Sequence, residues 1–485
     1  MSLKFFNNIY FKNIFWNFLN QFGKSGFQIL VTLILARLLT PADFGIIAMV
    51  IILTQFAELI IDSGFLLGIV QIKDITQKEL SSVFFINIFI GSVCTLTIYF
   101  TAPIIADLYD NENLVKVARY LSISCLFTAS AVVQHGLMIR EMNYKNRTIA
   151  QLASQLISGL IAIFLAKKGF GVMALVYYTI TQNALSATLY WIQSKWKPSF
   201  YFNFKDLKRI WRFSSHILGV TILGNLAGRT DLFLIGKFFS PQLLGFYSKG
   251  KDFAMLPANV GSEVASLSLF PILSRLTGED FNISYKRSLK ILTLVSSISF
   301  GVLCINANEI TMLLLGVGWK DAGIIFQLYF VVAFFYLINS FFTSVINATG
   351  KSRINFVKEL IQAPIRIIML VLIYYILSPD STLPFIYFWI VYYIASNLYS
   401  QYLISVVCKI KYYRNITIGL QYIVLSVIIG SVTFFFIQLN SDILTIAIRT
   451  MVFLFIFAVI LVMMKDPVWL LTNNFLKNNL WKKEK

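Results

Sequence analysis

Among the cationic side chains inside long apolar stretches of this 485-residue chain, five are candidates for a binding role. A charge costs about 2.5–3.5 kcal/mol at the centre of a membrane-spanning helix, so it normally faces a cavity or a partner. Arginine binds phosphate through paired hydrogen bonds, and lysine binds it as a point charge. The set predicts a cavity for a phosphate or diphosphate and comprises Lys24, Arg229, Lys249, Lys251 and Arg366. The alternative, left open by the sequence, is that each cation is neutralised by a buried acid or extends to the membrane surface.

Acidic residues in the same apolar stretches have two alternative roles. They can be structural partners of the cations, or one of them can take up a proton or sodium ion and couple transport to a gradient. We favour the structural role for each. These residues are Glu58, Asp62, Asp231, Asp252, Glu263 and, near the inner end of its stretch, Glu359.

A short motif occurs twice, about 200 residues apart, between long apolar stretches. Its first copy contains Arg37, Pro41 and Gly45, and its second contains Lys237, Pro241 and Gly245. Proline suits the first turn of a helix, and the preceding Thr40 or Ser240 can cap the exposed amides. We interpret each copy as a tight hairpin at the outer membrane surface, with a role for Arg37 and Lys237 in an outer gate as the alternative.

The elements that position these residues are membrane helices. The chain is 58% hydrophobic and 13% charged, about half the charged fraction of roughly 25% in globular proteins. A spanning helix needs about 20 mostly apolar residues. About fourteen such stretches occur, near 14–39, 44–61, 80–103, 115–139, 148–166, 171–192, 213–239, 245–272, 287–306, 322–347, 353–377, 384–407, 416–438 and 442–464. The fold class is therefore an all-α polytopic membrane protein.

The distribution of basic residues predicts the topology. Most of the 41 lysines and arginines fall in loops on one side of the predicted spans. The opposite side holds only Arg37, Lys116, Arg119, Lys167, Lys168, Lys237 and Lys320. Basic loops are typical of the cytoplasmic side, so both termini are predicted to be cytoplasmic. The net charge of +19 is explained by these loops, and no nucleic-acid partner is predicted.

The repeated motif also predicts the domain organisation. Six spans separate its copies, so the two halves have parallel orientation and are related by an axis along the membrane normal. Residues 1–192 form an N-terminal six-helix lobe, 193–212 a basic cytoplasmic linker, and 213–407 a C-terminal six-helix lobe. Residues 408–485 add two transmembrane helices and a basic cytoplasmic tail.

The sequence predicts no catalytic or metal centre. The four cysteines and two histidines lack metal-ligand spacing. No loop is long enough for a soluble catalytic domain. We therefore predict a protein that is not an enzyme, with no cofactor and no metal.

Several motifs resemble one family of transporters. They are Leu35 to Gly45, Asp62-Ser-Gly64 with Ile69-Val-Gln71, Leu137 to Lys145, Leu244-Gly-Phe-Tyr247 with Lys251 and Pro257, and Phe270 to Arg275. This set resembles the polysaccharide-exporter branch, Wzx-type and colanic-acid-exporter-like, of the multidrug/oligosaccharidyl-lipid/polysaccharide flippase superfamily. The likeness covers most of residues 14 to 410.

The resemblance implies two six-helix bundles around a V-shaped central cavity that opens alternately to either side. It implies a flippase that carries undecaprenyl-diphosphate-linked oligosaccharide, the polysaccharide repeat unit, across the cytoplasmic membrane. The implied partners are this substrate, membrane lipids, and the polysaccharide polymerase and chain-length machinery. The implied processes are lipopolysaccharide, O-antigen and exopolysaccharide biosynthesis.

Three alternatives differ in class. A drug/cation antiporter of the same superfamily should have a cavity dominated by acids, whereas the first span here contains Lys24 and no carboxylate. A sugar polymerase or ligase should have a large outer loop with catalytic residues, and none is predicted. A non-catalytic component of a polysaccharide assembly complex stays open.

Overall fold

The computed structural model of the protein describes residues 3–62, 64–72, 74–377, 380–408, 417, 419–439 and 441–464. All regular secondary structure in those residues is helical. The prediction of an all-α protein is therefore confirmed for the described part of the chain. The predicted basic tail after residue 464 lies outside it.

The described helices are numbered α1 to α17 in chain order. They are α1 Leu3–Leu38, α2 Pro41–Asp62, α3 Phe65–Gln71, α4 Gln77–Leu108, α5 Asn113–Ser122, α6 Ser124–Arg140, α7 Tyr144–Lys167, α8 Val172–Gln193, α9 Phe204–Phe238, α10 Pro241–Leu273, α11 Gly278–Ile305, α12 Ala307–Leu315, α13 Gly323–Ala348, α14 Ser352–Leu377, α15 Leu383–Cys408, α16 Leu420–Phe436 and α17 Asp442–Met463. A 3₁₀ helix, Val317–Ala322, precedes α13.

Length and apolar composition identify the membrane-crossing candidates. Within the described residues, eight helical stretches are long and apolar enough to span a bilayer. They are Pro41–Asp62, Gln77–Leu108, Asn113–Arg140, Tyr144–Lys167, Gly278–Ile305, Val317–Ala348, Ser352–Leu377 and Asp442–Met463. Each of the fourteen stretches predicted from the sequence overlaps a described helix, and the stretch 115–139 is divided between α5 and α6. That all fourteen cross the membrane stays a prediction.

The chain divides into two compact units. The first comprises Met1–Lys249 and Glu359–Pro379, and the second comprises Gly250–Lys358 and Asp380–Lys485. In the first unit, one cluster of buried side chains joins α3, α4, α6 and α9 through Phe65, Ile69, Leu80, Val83, Val133, Leu137, Leu207 and Ile210. The six-helix lobes and the linker predicted from the repeat stay predictions.

Local sequence explains where two helices of the first unit begin. Pro41 occupies the first turn of α2, and the hydroxyl of Thr40 accepts a hydrogen bond from the Asp43 amide at 3.3 Å. At the start of α4, Thr76 and Glu79 form a reciprocal capping box. Both caps satisfy amides that a helix leaves without an internal partner.

A buried arginine fixes the C-terminal helices within the second unit. Arg449 of α17 donates to the Ile437 carbonyl at 2.7 Å and to the Ile305 carbonyl at 3.0 Å. It also forms a 2.7 Å ion pair with Glu309 of α12. These bonds tie α17 to the break between α11 and α12.

Candidate functional site

A polar cavity of about 470 Å³ lies within the first unit. It is lined by α1, α2, α3, α6, α7, α8 and α9. The charged side chains on its wall are Lys24, Glu58, Asp62 and Arg229, and its other titratable side chains are His135 and Tyr190. Its carboxamides are Gln55, Gln151, Gln155, Gln182, Asn183 and Asn225. Such a wall suits a head group that combines negative charge with many hydroxyl groups.

Helical periodicity brings the polar residues to the cavity. Gln55, Glu58 and Asp62 share one face of α2, because residues three or four apart lie on the same side of a helix. Asn225 and Arg229 are paired in the same way on α9. Each helix thus directs its polar stripe to the cavity.

Hydrogen bonds hold several of these groups in place. The Asn183 amide lies 3.4 Å from both the Glu58 carboxylate and the Thr128 hydroxyl. Asp62 accepts a bond from the Leu66 amide at 3.2 Å. Gln155 donates to the backbone carbonyl of Lys24 at 3.1 Å, which ties α7 to α1 beside the lysine. The carboxylates are therefore positioned by their surroundings.

Oε1 of Gln55 and Nε2 of His135 are among the buried polar atoms on the wall that have no hydrogen-bond partner among the described residues. The His135 ring is stacked on Tyr190, with ring centroids 5.2 Å apart and planes 4° apart. Because an unpaired buried polar atom is costly, these atoms are suited to bind a polar ligand.

The cavity combines both signs of charge. With Lys24 and Arg229 positive, and Glu58 and Asp62 negative, the charged side chains on its described wall balance when His135 is neutral. The predicted cations Lys24 and Arg229 are brought to one site. The predicted acids Glu58 and Asp62 share it.

The other predicted cations have different surroundings. Lys249 lies over the ring of Phe44 at 5.5 Å in the first unit, and Lys251 lies over Trp389 at 5.1 Å in the second. Arg366 is buried and forms an ion pair with Glu359 on the same helix. This pairing is the alternative that the sequence left open for Arg366. None of the three lines the polar cavity.

The remaining predicted acids also lie away from the cavity. Asp231 is fully buried and accepts hydrogen bonds from the Tyr247 hydroxyl at 2.7 Å and the Leu232 amide at 2.8 Å. Asp252 is exposed, and Glu263 is half-buried. The observed bonds of Asp231 fit the structural role favoured from the sequence.

The two copies of the repeated motif pack against each other within the first unit. A side-chain carbon added at Gly45 would overlap the Pro241 carbonyl, and one added at Gly245 would overlap the Pro41 carbonyl. The starts of α2 and α10 therefore meet backbone to backbone. Glycine is required here because no other residue allows so close an approach.

The two basic residues of the motif have different surroundings. Lys237 forms a 3.1 Å ion pair with Asp110 after α4, whereas Arg37 is exposed. The Ser240 hydroxyl accepts a hydrogen bond from the Leu243 amide at 3.3 Å, as Thr40 does from Asp43. The predicted caps at Thr40 and Ser240 are confirmed. The hairpin and gate roles of these residues stay predictions.

Sequence reasoning missed the carboxamides and assigned His135 no role. Their signal was present as spacing: Gln151 and Gln155 are one helical turn apart on α7, and Gln182 and Ser186 on α8. Uncharged amides are cheaper to place in a membrane than charges, so a search for charge alone passes over them. A search for polar residues at helical spacing would find the stripe.

Comparisons with known proteins identify relatives of the chain. A family model described as "Polysaccharide biosynthesis protein" matches residues 34–323. Teichuronic acid biosynthesis protein TuaB of Bacillus subtilis (strain 168) is 26% identical over 312 residues, covering 62% of this chain and 64% of that protein. Succinoglycan biosynthesis transport protein ExoT of Rhizobium meliloti (strain 1021) is 24% identical over 265 residues, covering 55% and 54%. The matched stretches thus span between half and two thirds of these two relatives.

Solved structures show the fold. The chain is similar to the lipid II flippase MurJ in its inward closed conformation, with a TM-score of 0.71, 16% identity, and coverage of 94% of this chain and 100% of that one. An inward-facing multidrug resistance MATE family transporter of the MOP superfamily is similar with a TM-score of 0.56, 15% identity, and coverage of 80% and 96%. The architecture is therefore that of a multi-pass integral membrane protein of the MurJ and MATE type.

Proposed function

The chain belongs to the polysaccharide biosynthesis protein family, and on that premise we propose that it is a flippase for lipid-linked oligosaccharide. Its substrate is an undecaprenyl-diphosphate-linked polysaccharide repeat unit, which it moves across the cytoplasmic membrane. The names of its relatives, among them the lipopolysaccharide biosynthesis protein WzxC of Escherichia coli (strain K12), support this substrate class. WzxC is 20% identical over 332 residues, which cover 67% of this chain and 66% of that protein.

The observation that carries the proposal is the joint presence of Lys24 and Arg229 on one polar wall. A sugar-diphosphate head cannot cross about 30 Å of hydrocarbon unaided, because its charges and hydroxyl groups would lose their water. Lys24 and Arg229 replace water around the diphosphate, and the carboxamides replace it around the sugar. The prenyl tail stays in lipid.

The transport cycle follows from the proposed architecture. Fourteen helices form two parallel six-helix lobes and a C-terminal pair, with both termini in the cytoplasm. The lobes enclose a central V-shaped cavity that opens first to the cytoplasmic side and then to the outer side. The similarity to the MurJ fold supports this arrangement.

No bond is made or broken in this cycle, so the protein acts as a transporter and not as an enzyme. Binding and release of the head group are the only chemical events. The polymerase and chain-length machinery then act on the delivered repeat unit at the outer surface. Lys249, Lys251 and Arg366 belong to the proposed substrate path as secondary cations.

Glu58 and Asp62 supply a means of coupling. While both carboxylates are ionised, they offset the two cations and oppose an anionic head group. When one accepts a proton or a small cation, Lys24 and Arg229 become available to the diphosphate. Substrate binding is thereby linked to an ion gradient.

The same two carboxylates favour a second candidate, a drug/cation antiporter of the superfamily. In that case the acids would bind a cationic substrate directly. The two functions make opposite predictions for loss of the basic residues, because removing Lys24 would help a cationic substrate and hinder an anionic one.

The test replaces each cation in turn. Lys24→Ala and Arg229→Ala should each reduce flipping of labelled undecaprenyl-diphosphate-oligosaccharide in proteoliposomes about tenfold or more, since a hydrogen bond to a charged group contributes about 1.5–3 kcal/mol. Lys168→Ala, at an exposed lysine after α7, is the matched control and should flip normally. Lys24→Arg should retain most of the activity.

Full flipping by both alanine variants, at normal protein level, would refute the cationic site. Faster export of a cationic dye by Lys24→Ala, with no flipping of the lipid by the parent protein, would favour the antiporter.

A further inference from the structure

The segment between α8 and α9 contains both basic side chains and several exposed aromatic rings. Residues 194–203 have little regular structure, and α9 begins at Phe204. We define the platform as residues 194–211, which comprise this segment and the first two turns of α9. The proposed transport cycle assigns it no role.

Hydrogen bonds fix the platform to the start of α4. The Trp196 indole donates to Gln77 Oε1 at 2.6 Å, and the hydroxyls of Ser199 and Ser81 are 2.9 Å apart. The backbone amide of Asn203 donates to the Ser82 hydroxyl at 3.2 Å. The non-helical part of the platform is therefore bonded to α4 at several points along its length.

An ion pair anchors the helical part of the platform. Arg209 lies 2.9 Å from Glu79, which also belongs to the α4 capping box. Leu207 and Ile210 are buried in the core cluster of the first unit. One face of the first two turns of α9 is thus buried in the protein interior.

The opposite face presents aromatic rings and lysines. Phe204, Lys208 and Trp211 are spaced four and three residues apart and share one side of the helix. All three are exposed, as is Lys205, although the partly exposed Trp211 ring also contacts Phe65 of the core cluster at 5.8 Å between ring centroids. This face alternates apolar rings with positive charge.

The non-helical part continues the same surface. Phe200 is fully exposed and its ring is stacked with Phe85 at 6.5 Å between centroids, and Phe202 is exposed beside Phe204. Lys195 and Lys197 are exposed as well. Fixed and exposed phenylalanines are unfavourable in water but suit the boundary between lipid head groups and acyl chains.

We propose that the platform binds anionic phospholipid at the membrane surface where α4 begins. Its lysines complement the negative head groups, and its rings enter the adjacent acyl region. The platform directly follows α8 and adjoins the start of α4, a membrane-spanning candidate, so it is continuous with the bilayer interface. In the proposed topology this surface is the cytoplasmic leaflet.

The experiment measures which lipid surrounds Phe200. The full-length protein carries Phe200→Cys in a background whose four native cysteines are replaced, and a bimane fluorophore is attached. Vesicles contain equal phosphatidylcholine and phosphatidylglycerol, with bromine on one lipid or on the other. Brominated phosphatidylglycerol should quench at least about twofold more than brominated phosphatidylcholine, because interfacial lysines enrich anionic lipid.

Two charge-matched variants test the lysines. Lys195→Gln/Lys205→Gln/Lys208→Gln should make the two brominated lipids quench equally. The control, Lys116→Gln/Lys167→Gln/Lys168→Gln, removes the same charge from exposed lysines of the same unit on the predicted outer side, and should retain the preference. High salt should weaken the preference in the parent protein.

Three results would overturn the proposal. Equal quenching by the two lipids in the parent protein would remove the anionic preference. Absence of quenching by either lipid, as expected if the platform binds a soluble protein, would remove the membrane contact. If the control variant also lost the preference for anionic lipid, the net charge of the protein and not the platform would explain that preference. The assay measures no transport, so its result is independent of the flippase proposal.

Discussion

At the scale of single residues, the polar cavity depends on a balance between two cations and two acids. Glu58 is half-buried on the wall and lies within hydrogen-bond distance of Asn183. Asp62, Lys24, Arg229 and His135 share the same wall. Neutralising one acid therefore leaves a net positive site.

Glu58→Gln should strengthen binding of undecaprenyl diphosphate. It removes a negative charge from the cavity and keeps a side chain of nearly the same size. The affinity for undecaprenyl diphosphate should therefore rise about tenfold, equivalent to about 1.4 kcal/mol. Calorimetric titration of the detergent-solubilised protein measures this change. The variant should also respond less to an imposed proton gradient during flipping.

The matched control for this change is Glu263→Gln, at a half-buried acid of α10 that does not line the cavity. Its affinity should equal that of the parent. Weaker binding by Glu58→Gln would mean that the carboxylate positions Lys24 or contacts the head group, and the coupling hypothesis would then be wrong.

At the scale of helices, the repeated motif has a structural meaning that the sequence did not supply. Its two copies, at Pro41 and Pro241, were predicted as separate hairpins, and the structure brings their glycines into direct backbone contact. The sequence showed that Gly45 and Gly245 correspond. It could not show that they touch, because contact depends on how α2 and α10 cross.

Gly45→Ala should destabilise this crossing. The added methyl would overlap the Pro241 carbonyl, so the helices must separate, and overpacking of this kind typically costs about 1–3 kcal/mol. We expect a lower thermal unfolding temperature of the purified protein and reduced flipping. Gly245→Ala should behave similarly, because its methyl would overlap the Pro41 carbonyl.

Gly26→Ala on α1 is the control, since an added methyl there meets no atom within 4 Å. It should unfold at the parent temperature and flip normally. An unchanged unfolding temperature in Gly45→Ala would show that the two motifs are not in close contact in the membrane.

At the scale of the whole molecule, the sequence predicts where the helices lie but not which polar side chains meet. Every helical stretch of the structure that is long and apolar enough to cross a membrane was predicted as a helix from its apolar length. Lys24 and Arg229, grouped from their depth in two helices, both line the polar cavity, whereas Arg366, grouped with them, forms an ion pair with Glu359. Those two residues lie two turns apart on α14, so both outcomes were compatible with the sequence. Tertiary packing decides between a cavity and an ion pair.

The orientation of the molecule in the membrane is predicted from loop charge, and it yields the last prediction. If the basic loops are cytoplasmic, exposed positions after α7 and after α8 lie on opposite sides of the bilayer. In a background without native cysteines, Lys168→Cys should react with an impermeant maleimide in intact cells, and Lys195→Cys should react only after permeabilisation.

Both lysines are exposed in the structure, so a difference in labelling reports the side of the membrane and not burial. Labelling of both positions in detergent provides the reference for complete reaction. The reverse pattern in intact cells would invert the topology, place the platform on the outer surface, and require the head group to enter the cavity from the other side. The same pattern for both positions would mean that α8 does not cross the bilayer, which would reduce the first lobe to five spans and remove its parallel relation to the second.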